Sequence, residues 1–301
     1  MAAATAPGPG QATSKGTVTS ADSTPIAFTR TGQGPPLVLV DGLLVSRTTS
    51  PNRKLAPILA GTFTVYTYDR RGRGGSGDTA PYAVDREIED LAAVIAEAGG
   101  VAYVYGESSG ATLALEAAGR GLSITRLALW EPPMLIDDSR PPVSDSYLPR
   151  LQQLVAAGRR SAAIKLCMTE AMRTPAIATV IAPLIVPVWA KLKPLAHTLS
   201  YDAAITDPYL KGKPIPAGRW SRLAAPTLVM AAGKAQASLR FMRHAMESLA
   251  AALPTAQYLV LDGQTHQVKP KALAPVLLEF FSEGNAGTGV GGRRTAPPAR
   301  S

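Results

Sequence analysis

Gly106-Glu107-Ser108-Ser109-Gly110 is a G-x-S-x-G, the arrangement a nucleophilic hydroxyl needs when it must stand out of a sharp turn. Side chains at the flanking positions would collide with the strand before the turn and the helix after it, hence the glycines. A serine hydroxyl needs a base to take its proton. The chain has three histidines. His197 and His244 read as surface or core residues, the latter inside a helical pattern. His266 ends the stretch YLVLDGQTH, beyond an apolar run and a glycine. That is the C-terminal edge of a strand, where catalytic groups gather in open parallel sheets, so His266 is the expected base. The backbone N–H of Ser109, at a helix start, can stabilise an oxyanion. The single Cys167 and three histidines argue against a metal cluster or a disulfide framework. No G-x-G-x-x-G opens a helix after the first strand, so no nicotinamide site, and no cofactor of any kind, is expected.

These residues need elements to hold them. Thr17–Ser20 and Pro25–Arg30 read as a hairpin around Asp22-Ser23. Leu37–Val40 is a continuous apolar run, as a strand buried on both faces requires. Phe63–Tyr68, Val101–Tyr105 and Ile124–Trp130 read as further strands, and Asp85–Ala98 and Ser109–Gly119 as helices between them. The alternation resumes with strand Thr227–Ala232, helix Leu239–Ala252, strand Gln257–Leu261 and helix Leu273–Ser282. It implies a parallel sheet covered by helices on both faces. Residues 132–222 break the pattern with helical stretches (Tyr147–Ala157, Ser161–Arg173), many prolines and no convincing strand. The expected division is a core of residues 16–131 and 223–283, a helical insert at 132–222, and disordered tails at 1–15 and 284–301.

The net charge of +9 could suggest nucleic acid, but its distribution argues otherwise. The insert carries 12 basic against 6 acidic residues, whereas the core carries 15 against 16. Aromatic residues, at 6%, are too few for a stacking surface. No run of apolar residues is long enough for a membrane span. The start lacks a basic flank followed by an apolar stretch, which makes the cytoplasm the default compartment. The expected partner is a small-molecule substrate, not nucleic acid or a membrane; homodimerisation stays open.

Leu37–Gly42, Asp69-Arg70-Arg71-Gly72-Arg73-Gly74-Gly75-Ser76, the Ser108 turn and the Gly263–His266 loop occur in the order found in the α/β-hydrolase fold. From about residue 16 to 283 the chain resembles that superfamily. The resemblance implies a mostly parallel eight-stranded sheet with helices on both faces and a helical cap at the insert. Most relatives carry the catalytic acid after the strand that follows the cap. Here that place reads Gly233-Lys234-Ala235-Gln236-Ala237-Ser238, without a carboxylate. Some members, the haloalkane dehalogenases among them, place the acid at the end of the strand after the nucleophile helix. Glu131 occupies that place, and the resemblance makes it the third member of a Ser-His-Glu triad. Asp262 is the rival acid and reads as a strand terminator. The loop after Leu37–Val40 then supplies a second oxyanion N–H, from Leu43. Asp41 stands where many relatives have histidine, and is expected to face Arg70, Arg71 or Arg73. Glu107 is expected to pack structurally or to pair with an arginine.

Leu44, Trp130, Met134, Met168, Met172, Trp189 and His197 are the candidate substrate contacts, with Tyr201 and Trp220 beside them. They suit a largely apolar small molecule, and the basic insert could attract an anionic one. Two readings follow. One is a serine esterase or thioesterase-like hydrolase acting on an ester, thioester, lactone or related acyl bond. The other is a fold member that binds a ligand or catalyses addition, elimination, rearrangement or cyclisation.

Overall fold

A computed structural model describes residues 12–174, 186–234 and 241–283. The expected tails therefore lie largely outside the described residues, as do Leu239 and the segment 235–238. The elements of the first part are β1 (Thr13–Thr19), β2 (Pro25–Thr31), β3 (Pro36–Val40), α1 (Asn52–Leu59), β4 (Thr64–Tyr68), α2 (Val84–Glu97), β5 (Ala102–Glu107), α3 (Ser109–Gly119) and β6 (Ile124–Trp130). The insert follows with α4 (Tyr147–Ala156), α5 (Arg160–Leu166), a π turn (Cys167–Ala171), α6 (Val186–Leu192) and α7 (Leu199–Thr206). The chain returns to the sheet with β7 (Thr227–Ala232), α8 (Phe241–Ala252), β8 (Ala256–Leu261) and α9 (Pro270–Ser282).

The sheet has eight strands in the order β1-β2-β4-β3-β5-β6-β7-β8. β1 and β2 are antiparallel, and β2 pairs antiparallel with β4; all later pairings are parallel. This is the α/β-hydrolase fold that the sequence implies. The central strands are buried along their length, as their apolar runs demand. One face packs on α2, α3 and α8 through residues such as Leu91, Leu115 and Met246. The other packs on α1 and α9 through Leu55, Leu59, Leu277 and Phe280. The insert has its own cluster, built around Leu135, Leu151, Ile164, Trp189 and Leu199. Among the described residues no strand lies between β6 and β7.

Three differences from the sequence reading have physical causes. β1 begins at Thr13, inside the expected tail, because its backbone pairs with β2 from Thr13↔Thr31 onward. Its side chains are largely exposed, so no apolar alternation marks it. Helix α1 carries Pro57 in its interior, which disguises it in a sequence reading. Trp220, expected in the substrate pocket, is buried in the main core and donates from Nε1 to Glu116 Oε1 at 3.1 Å.

The parallel register aligns Val40 with Gly106 and Glu107 with Trp130, bringing the ends of β3, β5 and β6 to one edge. Helix α3 starts there against β3. A Cβ on Gly110 would stand 2.4 Å from the Asp41 carbonyl oxygen and 2.5 Å from that of Val40. Both obstacles are backbone, so the strand itself would have to move. Gly110→Ala is expected to cost about 1–3 kcal/mol, read as a lower urea midpoint at unchanged slope.

Candidate active site

Ser108 sits between β5 and α3 at φ 53°, ψ −127°. A non-glycine residue there is strained and persists only when its surroundings fix it. They do so by packing and by hydrogen bonds. A Cβ on Gly106 would lie 2.6 Å from Ala111 Cα, so helix and strand meet too closely for any side chain. The Ser108 N–H donates to the Trp130 carbonyl at 2.9 Å, and the Ala111 N–H donates to the Ser108 carbonyl at 2.9 Å. The hydroxyl-bearing residue is thus turned out over the sheet edge, where it lines a cavity.

His266 lines the same cavity. Its Nδ1 is 2.7 Å from Glu131 Oε2, while Glu131 Oε1 accepts the Ala232 N–H at 2.9 Å. The buried carboxylate is therefore held by the end of β7 as well as by the imidazole. Glu131 itself has φ 42°, a second strained non-glycine backbone at this sheet edge. With Nδ1 engaged, Nε2 is the ring nitrogen left for chemistry. The loop that carries His266 is tied down by Trp130, whose indole N–H donates to the His266 carbonyl at 2.8 Å. Asp262 is exposed at the turn after β8 and takes no part in this arrangement.

Behind the serine lies a buried ion network. Arg70 donates from Nε and Nη2 to the two Glu87 oxygens at 2.6 and 2.8 Å. Its Nη1 reaches Asp202 Oδ1 at 2.8 Å and the Asp41 carbonyl at 3.2 Å. Arg73 donates to Asp202 Oδ2 at 2.7 Å and to the Gly42 carbonyl at 2.5 Å. Ser109 Oγ donates to Asp202 Oδ1 at 2.7 Å. Burial opposes ionisation of Asp202, but the charges of Arg73 and Arg70 outweigh it and hold the carboxyl below its ordinary range. In a trans peptide the C=O and N–H point opposite ways. Arg73, by holding the Gly42 carbonyl, turns the Leu43 N–H away from itself. Leu43, Ser108 and Ser109 all line the cavity.

Asp41 departs from expectation. It forms no ion pair with the three arginines, although the Arg73 charge acts on it: Oδ1 accepts from Ser50 Oγ and from Asn52 Nδ2, the latter at 2.6 Å, and Oδ2 is buried without a hydrogen-bond partner. The arginines pair with other carboxylates, Arg70 with Glu87 and Asp202, Arg73 with Asp202, and Arg71 with Asp90 and Asp22. Nor does Glu107 pair with an arginine; its carboxylate accepts the Gly42 N–H. Burial pushes both acids above their ordinary range, and the Asp41 charge pushes Glu107 further.

Of the expected substrate contacts only Met172 lines the cavity. Trp130 anchors the His266 loop from within the sheet core. Met134 is buried in the main core and does not line the cavity. Trp189 is buried in the insert's own cluster and donates to Ser161 Oγ, while Leu44 and Met168 pack against that cluster. His197 binds the Pro194 carbonyl and stands edge-on to Tyr201, which itself stacks on Tyr82. The walls come instead from Tyr147, Leu199, Ala203, Leu210 and Phe241, with Arg140 and Asp202 as charged members. Sequence reasoning missed Asp202 and Arg140, which no local motif marks.

Fold and site together define the class. Residues 22–276 match the Alpha/beta hydrolase family, and the chain belongs to it. It is 51% identical to an alpha/beta hydrolase from Sphaerobacter thermophilus, over 88% of this chain and 100% of that one, with a TM-score of 0.80. It shares its fold with a thermophilic esterase from Thermogutta terrifontis, solved with malate bound (21% identity, 90% and 98% covered, TM-score 0.66). It also shares it with 2-hydroxy-6-oxo-6-phenylhexa-2,4-dienoate hydrolase from a Rhodococcus (19% identity, 90% and 99% covered, TM-score 0.63). No curated protein matches the chain significantly.

Two outcomes follow from the buried charges. Asp202→Ala strands two buried guanidiniums and is expected to cost about 3–5 kcal/mol, with Asp202→Asn milder, by urea unfolding. Unfolded carboxylates titrate near pH 4, below the native values of Asp41 and Glu107. In that window the native state holds more protons than the unfolded chain, so these groups lower stability as pH rises. Glu107→Gln is expected to flatten the fall of the urea midpoint between about pH 5 and about pH 8.

Proposed function

We propose that this α/β hydrolase is a serine hydrolase that cleaves an ester, thioester, lactone or related acyl bond of a small, largely apolar molecule. The observation that carries the reading is the Glu131–His266 pair at 2.7 Å, opening on the same cavity as a serine held at a strained turn. Ser108 Oγ attacks the acyl carbonyl while His266 Nε2 takes its proton. Glu131 fixes the imidazole orientation and stabilises the imidazolium. The Leu43 and Ser109 N–H groups hold the oxyanion of the tetrahedral intermediate. His266 returns the proton to the leaving group, and a water activated by the same imidazole then hydrolyses the acyl-enzyme.

The insert, residues 132–222, acts as the cap. Its Tyr147, Met172, Leu199, Ala203 and Leu210 close the cavity over the serine. The cavity is about 150 Å³, which favours a short acyl group. Trp130 is a positioning residue, acting on His266 through its carbonyl. The esterase and the 2-hydroxy-6-oxo-6-phenylhexa-2,4-dienoate hydrolase that share the fold are consistent with hydrolysis on this scaffold.

A fluorophosphonate is expected to add once to the wild type and not to Ser108→Ala, read by intact mass. Absence of the adduct on folded wild type would overturn the reading in favour of a non-hydrolytic one. With an acyl substrate in hand, Glu131→Gln is expected to lower kcat by about 10³–10⁴-fold while leaving the labelled serine in place.

A further inference from the structure

Arg140 is a charged side chain of the cavity lining for which the proposed mechanism has no use. It lies on the connection between β6 and α4. Its guanidinium stands over the Phe241 ring, 4.1 Å from the centroid, and Nη1 donates to the Ala171 carbonyl at 3.2 Å. Nε is buried without a partner, and Nη2 makes no hydrogen bond among the described residues. The group remains a cation at neutral pH, although burial and the nearby Arg173 charge push its pKa down to about 10.

Every one of the 22 aspartates and glutamates of the chain lies in the described segments. None forms an ion pair with Arg140. Glu170 pairs through Oε1 with Arg150, and its Oε2, buried without a hydrogen-bond partner, forms no ion pair with Arg140. Asp137 accepts from the Ser139 N–H at 3.0 Å and faces His244. Asp202, the acid of the cavity, is saturated by Arg70, Arg73 and Ser109. His266, the other ionisable lining group near the serine, is engaged by Glu131. The cavity thus presents a half-buried cation without its counter-charge among apolar walls. Such a group is costly unless a ligand supplies the anion, and a guanidinium suits a carboxylate by geometry.

We propose that Arg140 is an anion subsite of the cleavage pocket, and that the substrate is a short acyl compound carrying a carboxylate, such as a half-ester of a short dicarboxylic acid. The inference rests on the serine-hydrolase reading for the cleaved bond, but not for the binding of the anion. A single guanidinium matches one carboxylate, and a cavity of about 150 Å³ limits the chain that separates it from the scissile carbonyl. Arg140 would then select the substrate and fix its orientation, while Ser108 and His266 act on the bond.

The test compares a matched pair, mono-para-nitrophenyl glutarate and para-nitrophenyl valerate, which differ in the terminal carboxylate. Wild type is expected to favour the glutarate in kcat/KM. Arg140→Gln is expected to reduce that preference about tenfold or more, and Arg140→Lys, which keeps a charge and a long stem, to retain part of it. Thermal melting of both variants verifies folding. A wild-type preference for the valerate, or a ratio unchanged in Arg140→Gln, would overturn the subsite while leaving the hydrolase reading intact. If neither ester is turned over, glutarate is titrated calorimetrically into Ser108→Ala with and without Arg140→Gln. Binding that depends on Arg140 would support the subsite even as the hydrolase reading failed. Binding that is absent, or indifferent to Arg140, would overturn the subsite itself.

Discussion

The carboxylate of Asp202 is shared between two buried arginines, and the site is organised around it. Arg70 and Arg73 come from the loop after β4, Asp202 from α7 of the insert. Their three-way contact ties the insert to the sheet at the point where α3 begins, because Ser109 Oγ joins the same carboxylate. The arginines also hold the Asp41 and Gly42 carbonyls and so orient the peptide planes beside the serine. Buried charges of this kind are rarely a net gain in stability over apolar packing. Their directional bonds fix one arrangement of three chain segments, which apolar contacts do not.

Strain at this sheet edge is concentrated and opposed by rigid neighbours. Ser108 and Glu131 both adopt positive φ, at the ends of adjacent strands whose register aligns Glu107 with Trp130. The surrounding sheet is buried on both faces, so neither residue can relax without moving a strand. Trp130 links the two: its carbonyl accepts the Ser108 N–H and its indole holds the His266 loop. Glu131 and His266 come from different strand ends, yet one residue in the core, Trp130, bonds to both the serine turn and the His266 loop.

Charge in and around the cavity divides into three kinds. Asp202 and Glu131 are negative groups whose partners consume them, and they serve to hold other residues. Arg140 has no such partner, and that difference separates a charge built for architecture from one available to a ligand. Asp41 and Glu107 are the third kind, acids beside the serine that form no ion pair and whose burial favours their protonated forms.

The sequence by itself determined the elements and the sharp turn that carries Ser108. Apolar runs and helical periodicity marked β3 to β6 and α3, and glycines around Ser108 marked the turn, because each is a signal within a few residues. It also placed His266 at a strand end, and family resemblance placed Glu131. It misjudged Asp41, because a buried acid among three arginines invites a pairing that Ser50 and Asn52 pre-empt. It misassigned Met134, Trp130 and Trp189, since an apolar side chain in a sequence does not declare whether it faces core or cavity. Asp202 and Arg140 were invisible for a different reason. Asp202 meets Arg70 and Arg73 across 132 and 129 positions, and Arg140 matters through the carboxylates that fail to reach it. Such relations have no spacing to read, because folding, not sequence proximity, decides which charges find a partner.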